Sequence, residues 1–122
     1  MKESKLIDSS VWLAYLFNGS HKELIESGEM LLISSLSLFE IKKKLMKSRI
    51  DDGKIAKSME FVKKRSLIVP VTDSIAEKAV EFSLEYELPI IDSLIYSSGI
   101  LNESTLITLD NDFRGLKQVN IL

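Results

Sequence analysis

Short apolar runs alternate along this chain with longer segments whose apolar residues recur every three to four positions. The runs at Lys5–Ile7, Met30–Ser34, "SLIVPV" and Thr105–Leu109 are too short for helices and rich in Leu, Ile and Val. They read as buried strands, and "VNIL" adds a final one at an edge. The segments between them carry helical periodicity. "DSSVWLAYLF" begins a helix that Asp8, Ser9 or Ser10 can cap, and His21 to Ser27 forms a short helix ended near Gly28. "SLSLFEIKKKLMKS" places Leu38, Ile41 and Leu45 on one face, and a helix restarted at "DDGK" is striped by Ile55, Met59 and Val62. "DSIAEKAVEFSLEY" is opened by Asp73 and striped by Ile75, Ala79 and Phe82. Pro89 breaks the chain before a last helix in which Ile90, Ile91, Leu94 and Ile95 read as core. Strands alternating with helices predict an α/β fold. The expectation is one domain over 1–122, with a central, mostly parallel sheet of four to five strands flanked by helices on both faces.

In such folds ligands bind beyond the carboxyl ends of the strands, near the switch in strand order. Acidic residues collect at those positions. Asp8 directly follows the first strand, Asp110 directly follows "LITL", and Asp112 lies two residues on. Glu40 is about one and a half turns into the helix after "LLIS", and Asp92 is near the start of the helix after Pro89, among apolar neighbours. Each has a purely structural reading. Asp8 can be an N-cap, Glu40 can pair with Lys44, Asp92 can cap the helix from Ser93, and Asp110, Asn111 and Asp112 are ordinary turn formers. Together they carry a different cost. Two carboxylates 4 Å apart repel by about 4 kcal/mol at an effective dielectric of 20. A divalent cation removes that penalty, and oxygen ligands without Cys or a His pair favour Mg²⁺ or Mn²⁺ over zinc. Such an ion orients a water, lowers its pKa and stabilises a leaving oxygen, which are the needs of phosphodiester hydrolysis.

Composition narrows the picture. There is no cysteine and one histidine, His21, which excludes disulfides, thiolate chemistry and a two-histidine acid–base pair within the chain. The cysteine-free composition fits a reducing compartment, and the start, interrupted by Asp8, is a poor signal peptide, so a cytoplasmic location is expected. No segment approaches the length needed to span a bilayer. A net charge of −2 argues against a protein that coats nucleic acid but says little about local patches. One such patch adjoins Glu40. Lys43, Lys44 and Lys47 share its side of the helix, Arg49 extends the run, and Arg114 lies four residues past Asp110. These cations can hold flanking phosphates or form a solvated face. Lys63, Lys64 and Arg65 read as solvated surface. Ser9, Ser10 and Thr108 offer hydroxyls near Asp8 and Asp110 that can fix carboxylate rotamers or serve as caps. Trp12, Tyr15, Leu16 and Phe17 make the first helix apolar nearly all round; most of this reads as core, and the excess hints at a subunit or partner interface.

The acids stand in four segments, "LIDSSVWLAYL", "SSLSLFEIKKKL", "LPIIDSLIYSSG" and "LITLDNDF". In this order they resemble the motifs of the PIN-domain ribonucleases, and among them the VapC-type toxins of toxin–antitoxin pairs. The resemblance covers essentially the whole chain. It implies catalytic roles for Asp8, Glu40, Asp92 and Asp110, with Asp8, Asp92 and Asp110 as metal ligands and Ser9, Thr108 and Asp112 behind them. It implies Mg²⁺- or Mn²⁺-dependent endonucleolytic cleavage of RNA, leaving 5′-phosphate and 3′-hydroxyl ends. It further implies a homodimer and a cognate antitoxin whose tail lies over the active site. The fourth motif leaves open whether Asp110 or Asp112 is nearer the metal; Asp110 is the preferred reading. Three other readings are an RNA-processing nuclease that is not a toxin, a PIN-like scaffold that only binds partners, and a phosphorylated receiver module. The last would need an acidic pair after the first strand and an Asp after the third, neither of which is present.

Overall fold

Strand β1 (Lys5–Ile7) is central because both of its edges are paired, with β2 (Leu31–Ser34) on one side and β4 (Thr105–Thr108) on the other. The computed structural model describes residues 4–122. Over that span the strands form one all-parallel sheet, completed by β3 (Leu67–Val69) beside β2 and β5 (Val119–Ile121) beside β4. The order is β3–β2–β1–β4–β5, which agrees with the expected parallel α/β architecture. Helices α1 (Ser9–Asn18) and α2 (Lys22–Ile25) connect β1 to β2, and α3 (Ser35–Lys47) and α4 (Asp52–Arg65) connect β2 to β3. Helices α5 (Asp73–Tyr86) and α6 (Ile90–Leu101) then carry the chain from the β3 edge back across to β4. Crossovers of one hand that run in opposite directions put their helices on opposite faces of a sheet. The strand order therefore switches between β1 and β4.

The two faces follow from the period-two alternation of the strands. Ile7, Leu31, Ile33 and Ile107 face α1–α4 and pack with Trp12, Ile41, Leu45, Ile55 and Val62. Leu6, Leu32, Val69 and Leu106 face α5 and α6 and pack with Ile75, Ile95 and Tyr96. Each buried Leu or Ile contributes on the order of 1.5–3 kcal/mol. Helices α3, α4 and α5 start on side-chain caps. Ser34 accepts the Leu36 amide at 3.1 Å, and Asp51 accepts those of Gly53 and Lys54 at 3.0 and 3.3 Å. Helix α5 is capped by Thr72, whose hydroxyl accepts the Ile75 amide at 3.2 Å, with Asp73 already inside the first turn. Gly19, in the left-handed region at φ 70°, ends α1.

Two expectations are corrected. Ile90 and Ile91 are not core: they are 75% and 38% exposed, whereas Ile95, one turn further on, is buried. Ile90 and Ile91 both stand in the first turn of α6, on sides left open when Ile95 packs into the core. The apolar residues of α1 are mostly core, as expected: Trp12 is fully buried, Leu16 packs against the core and the Tyr15 ring stacks on Phe61 of α4 at 5.8 Å, while Phe17 is exposed. Arg65 is not solvated surface. Its Nε donates to the Ile25 carbonyl at 2.6 Å, and its Nη2 donates to those of Ser27 and Glu29 at 2.8 and 3.1 Å. One rigid guanidinium thus satisfies the carbonyls between α2 and β2, which Lys cannot do with a single point charge. Among the described residues no helix is long and apolar enough to cross a membrane.

Removing this guanidinium leaves several carbonyls unpaired. Arg65→Ala is expected to lower unfolding free energy by about 2–3 kcal/mol. Arg65→Lys should recover less than half of that, as read from urea denaturation midpoints.

Candidate active site

The carboxyl ends of β1 and β4 lie side by side at the switch point, and their first residues beyond the strands are Asp8 and, after Leu109, Asp110. The ladder continues one residue past β1, because the Asp8 amide donates to the Ile107 carbonyl at 2.9 Å. Asp8 occupies the N-cap position of α1, yet its side chain makes no capping bond. Its Oδ2 instead accepts the Ser10 and Thr108 hydroxyls, each at 2.8 Å. These hydroxyls are themselves oriented. Ser10 Oγ accepts the Leu109 amide at 3.1 Å and Thr108 Oγ1 accepts the Asp110 amide at 3.0 Å, which leaves their protons for the carboxylate. The buried Asp8 is thereby locked in one rotamer.

The other acids come from three further elements. Glu40, on α3, accepts the Ser9 hydroxyl at 3.1 Å through Oε1 and is half-buried. Its pKa is raised, first by burial and then by the charges of Asp8 and Asp110, against the opposing pull of the Ser9 hydrogen bond. Asp92 is in the first turn of α6. Burial, followed by the charge and hydrogen bond of Asp110 and the charges of Asp8 and Asp112, pushes its pKa up to about 7. Asp110 caps the short 3₁₀ turn Asn111–Phe113, its Oδ1 accepting the Asp112 amide at 2.9 Å. Asp92, Asp110 and Asp112 each present a carboxylate oxygen, and these lie within 4.8 Å of one another.

Residues separated by as much as 100 positions therefore meet at one edge, and the structural readings of single acids divide. Asp110 is a turn cap as well as a member of the cluster. Asp8 is not a capping side chain, Asp92 lies within the first turn of a helix that begins at Ile90, and Glu40 is bonded to Ser9. Ser9 serves Glu40, while Ser10 and Thr108 hold Asp8. The tightest group pairs Asp92 with both acids of the "DND" turn, and Asp8 stands beside it with its charge felt at Asp92. Oxygen donors of this kind suit a hard dication.

Lys43, Lys44 and Lys47 are exposed and, with Phe39 and Glu40, line a cleft of about 370 Å³. Ile91 closes it from α6. Arg114 is exposed and bonds the Asn111 side chain at 3.1 Å, outside the lining of that cleft. Phe39 and Ile91 were not singled out in sequence as residues of the site. Phe39 carries a sequence signal, since it lies off the buried Leu38/Ile41/Leu45 stripe and directly precedes Glu40.

A doubly wound parallel sheet that gathers carboxylates from separate elements at its switch point defines a class of α/β domains. The PIN domain family model matches residues 5–118, and this chain belongs to that family. Solved structures share the fold. A toxin–antitoxin complex from Klebsiella pneumoniae aligns with a TM-score of 0.79 at 24% identity, over 95% of each chain. VapBC2 from Rickettsia felis, bound to a DNA fragment from its promoter, aligns at 0.79 and 18% identity, over 98% of this chain and 97% of that one. VapC20 of Mycobacterium tuberculosis, a sarcin–ricin loop cleaving toxin, aligns at 0.71 and 17% identity, over 94% and 98%. No curated protein sequence matches the chain.

The raised pKa of Asp92 has a sign consequence for stability. Between the usual carboxylate range and pH 7 the folded protein binds a proton that the unfolded chain has released, so stability falls as pH rises across that window and levels off above it. In metal-free buffer, Asp92→Asn should remove this slope and raise stability at pH 8. With the half-exposed group screened by solvent, the gain is about 1–2 kcal/mol. Urea unfolding from pH 4.5 to 8 in chelator measures it.

Proposed function

We propose that this chain is a divalent-metal-dependent endoribonuclease and the toxin component of a toxin–antitoxin pair. The observation that carries the reading is the meeting of Asp8, Glu40, Asp92, Asp110 and Asp112 at the switch point of a PIN fold. No cation among the described side chains hydrogen-bonds these acids, and the oxygen-only donor set fits Mg²⁺ or Mn²⁺. Asp92, Asp110 and Asp112 would hold the ion, with Asp8 fixed beside them by Ser10 and Thr108. Bound there, the ion would supply charge neutralisation and activation of a water for in-line attack on a phosphodiester. Glu40, held by Ser9 and with its pKa raised, would take up a proton at Oε2 from the attacking water as the P–O3′ bond breaks, and the leaving 3′ oxygen would take a proton from solvent. Lys43, Lys44 and Lys47 hold flanking phosphates as point charges, and Arg114 holds a phosphate further along the strand. The products are a 5′-phosphate and a 3′-hydroxyl.

Two partner surfaces are part of this proposal. The toxin–antitoxin complexes among the similar structures support a cognate antitoxin. The groove between α3 and α4, floored by Met46, Ile55 and Met59 and rimmed by charges of both signs, Lys42 and Lys63 with Asp52 and Glu60, offers an amphipathic segment of that partner a seat. A homodimer would use the outer side of α5, where Val80 and Leu84 are exposed near Ile90.

Purified protein is expected to cleave RNA with Mg²⁺ or Mn²⁺ and to stop in chelator. Asp8→Asn, Asp92→Asn and Asp110→Asn should each lower cleavage at least about 100-fold with the fold retained by circular dichroism. A parent protein that leaves diverse RNAs intact with either metal, or three variants that cleave at the parent rate, would sink the reading.

A further inference from the structure

Helix α3 buries Ile41 and Leu45 and partly buries Leu38, and a Phe one position off that stripe gains nothing from the core. Phe39 is 66% exposed, although its neighbour Glu40 is held against Ser9. The ammonium of Lys43 lies 5.6 Å from the ring centroid. Across the cleft stands Ile91, also an exposed apolar residue, and the next residue along α6 is Asp92. The cleft of about 370 Å³ thus has an aromatic wall and an aliphatic wall, three ammonium groups and the Glu40 carboxylate in its lining, and on α6 the residue after Ile91 is Asp92 of the carboxylate cluster.

We infer that Phe39 is a base-stacking platform, on which one unpaired nucleotide of an RNA single strand rests while Lys43, Lys44 and Lys47 hold its flanking phosphates. The inference deepens the nuclease reading and rests on it. An exposed ring with cations beside it offers both contacts that a nucleic acid strand needs, a π-face for a base and positive charge for the flanking phosphates. Stacking on an aromatic ring tolerates any base, because every base has a π-face, whereas a base paired within a duplex cannot present that face. Phe39 would therefore select strandedness rather than sequence and set the register of the scissile phosphate over the carboxylates. Position favours RNA as the occupant: the same cleft holds Glu40, which the nuclease reading places at the scissile phosphate, so a substrate strand reaching the acids passes Phe39. Phe39 also lines the groove with Met46 and Met59, where an acidic amphipathic segment of a partner protein would match the ammonium groups equally well, and the test separates the two.

The test is binding in chelator, where no cleavage occurs. Fluorescence anisotropy compares a single-stranded oligoribonucleotide with a duplex of equal length, and a 2-aminopurine in the single strand reports stacking. Phe39→Ala should weaken single-strand binding about tenfold, abolish the 2-aminopurine quench and leave duplex binding unchanged. Phe39→Trp should restore both. Lys43→Ala should instead weaken both ligands and reduce the salt slope by about one. Equal losses for single strand and duplex in Phe39→Ala, or no loss at all, overturn the platform. So does a protein that binds no single strand but loses a co-purified partner protein on Phe39→Ala, since the cleft then belongs to that partner. Cleavage with Mg²⁺ separates the two readings. Phe39-dependent binding without cleavage defeats the nuclease and leaves the platform standing, and cleavage with unchanged KM in Phe39→Ala does the reverse.

Discussion

A single backbone hydrogen bond, from the Asp8 amide to the Ile107 carbonyl, extends the pairing of β1 with β4 one residue beyond β1. That extension brings Asp8 level with Thr108 on the neighbouring strand. Once they are level, the Thr108 hydroxyl reaches the Asp8 carboxylate, and its own oxygen receives the Asp110 amide. The β1–β4 junction therefore fixes two acids at once. The rest of the sheet serves to hold it: β2 buttresses β1 on its far side, and β5 does the same for β4. Short strands suffice because both core layers bury them, with Ile7 and Ile107 on one face and Leu6 and Leu106 on the other.

The site assembled there works against stability. Asp92 and Glu40 both lose water, and both feel the charge of Asp110. The structure answers this differently at different acids. Asp8 receives two hydroxyl donors whose protons are aimed by backbone amides, and Glu40 receives one from Ser9. Asp92 is left facing the charge of Asp110 with its pKa pushed up to about 7, which is the arrangement expected where like charges are kept close for a ligand rather than for the fold. Hydrogen-bond donors make the cluster rigid, but they leave its excess negative charge in place.

Legibility in sequence differed by residue. Asp8 and Asp110 could be placed because each follows a strand, and a parallel sheet brings such positions together. Glu40 and Asp92 needed only the helix starts. The hydroxyl partners were legible as a group but not by assignment: Ser9 and Ser10 are adjacent, yet α1 turns one toward α3 and the other toward β4. Arg65 read as part of a basic run, because nothing local reveals that the carbonyls of Ile25, Ser27 and Glu29 end beside it. Ile90 and Ile91 read as core because periodicity reports what a residue is, whereas burial depends on whether another element reaches it.

What the sequence alone determined is the alternation of strands and helices, the parallel sheet and the list of acids at its carboxyl edge. All of these follow from local period and chain order. Only the tertiary structure decided which hydroxyl serves which carboxylate, that Asp112 joins Asp92 and Asp110 in the closest group, and that an exposed ring stands beside Glu40. Those outcomes turn on differences of an ångström or two between elements far apart in the chain. Hydrogen bonds and charge interactions change over just that distance, while the hydrophobic pattern that selects the fold does not.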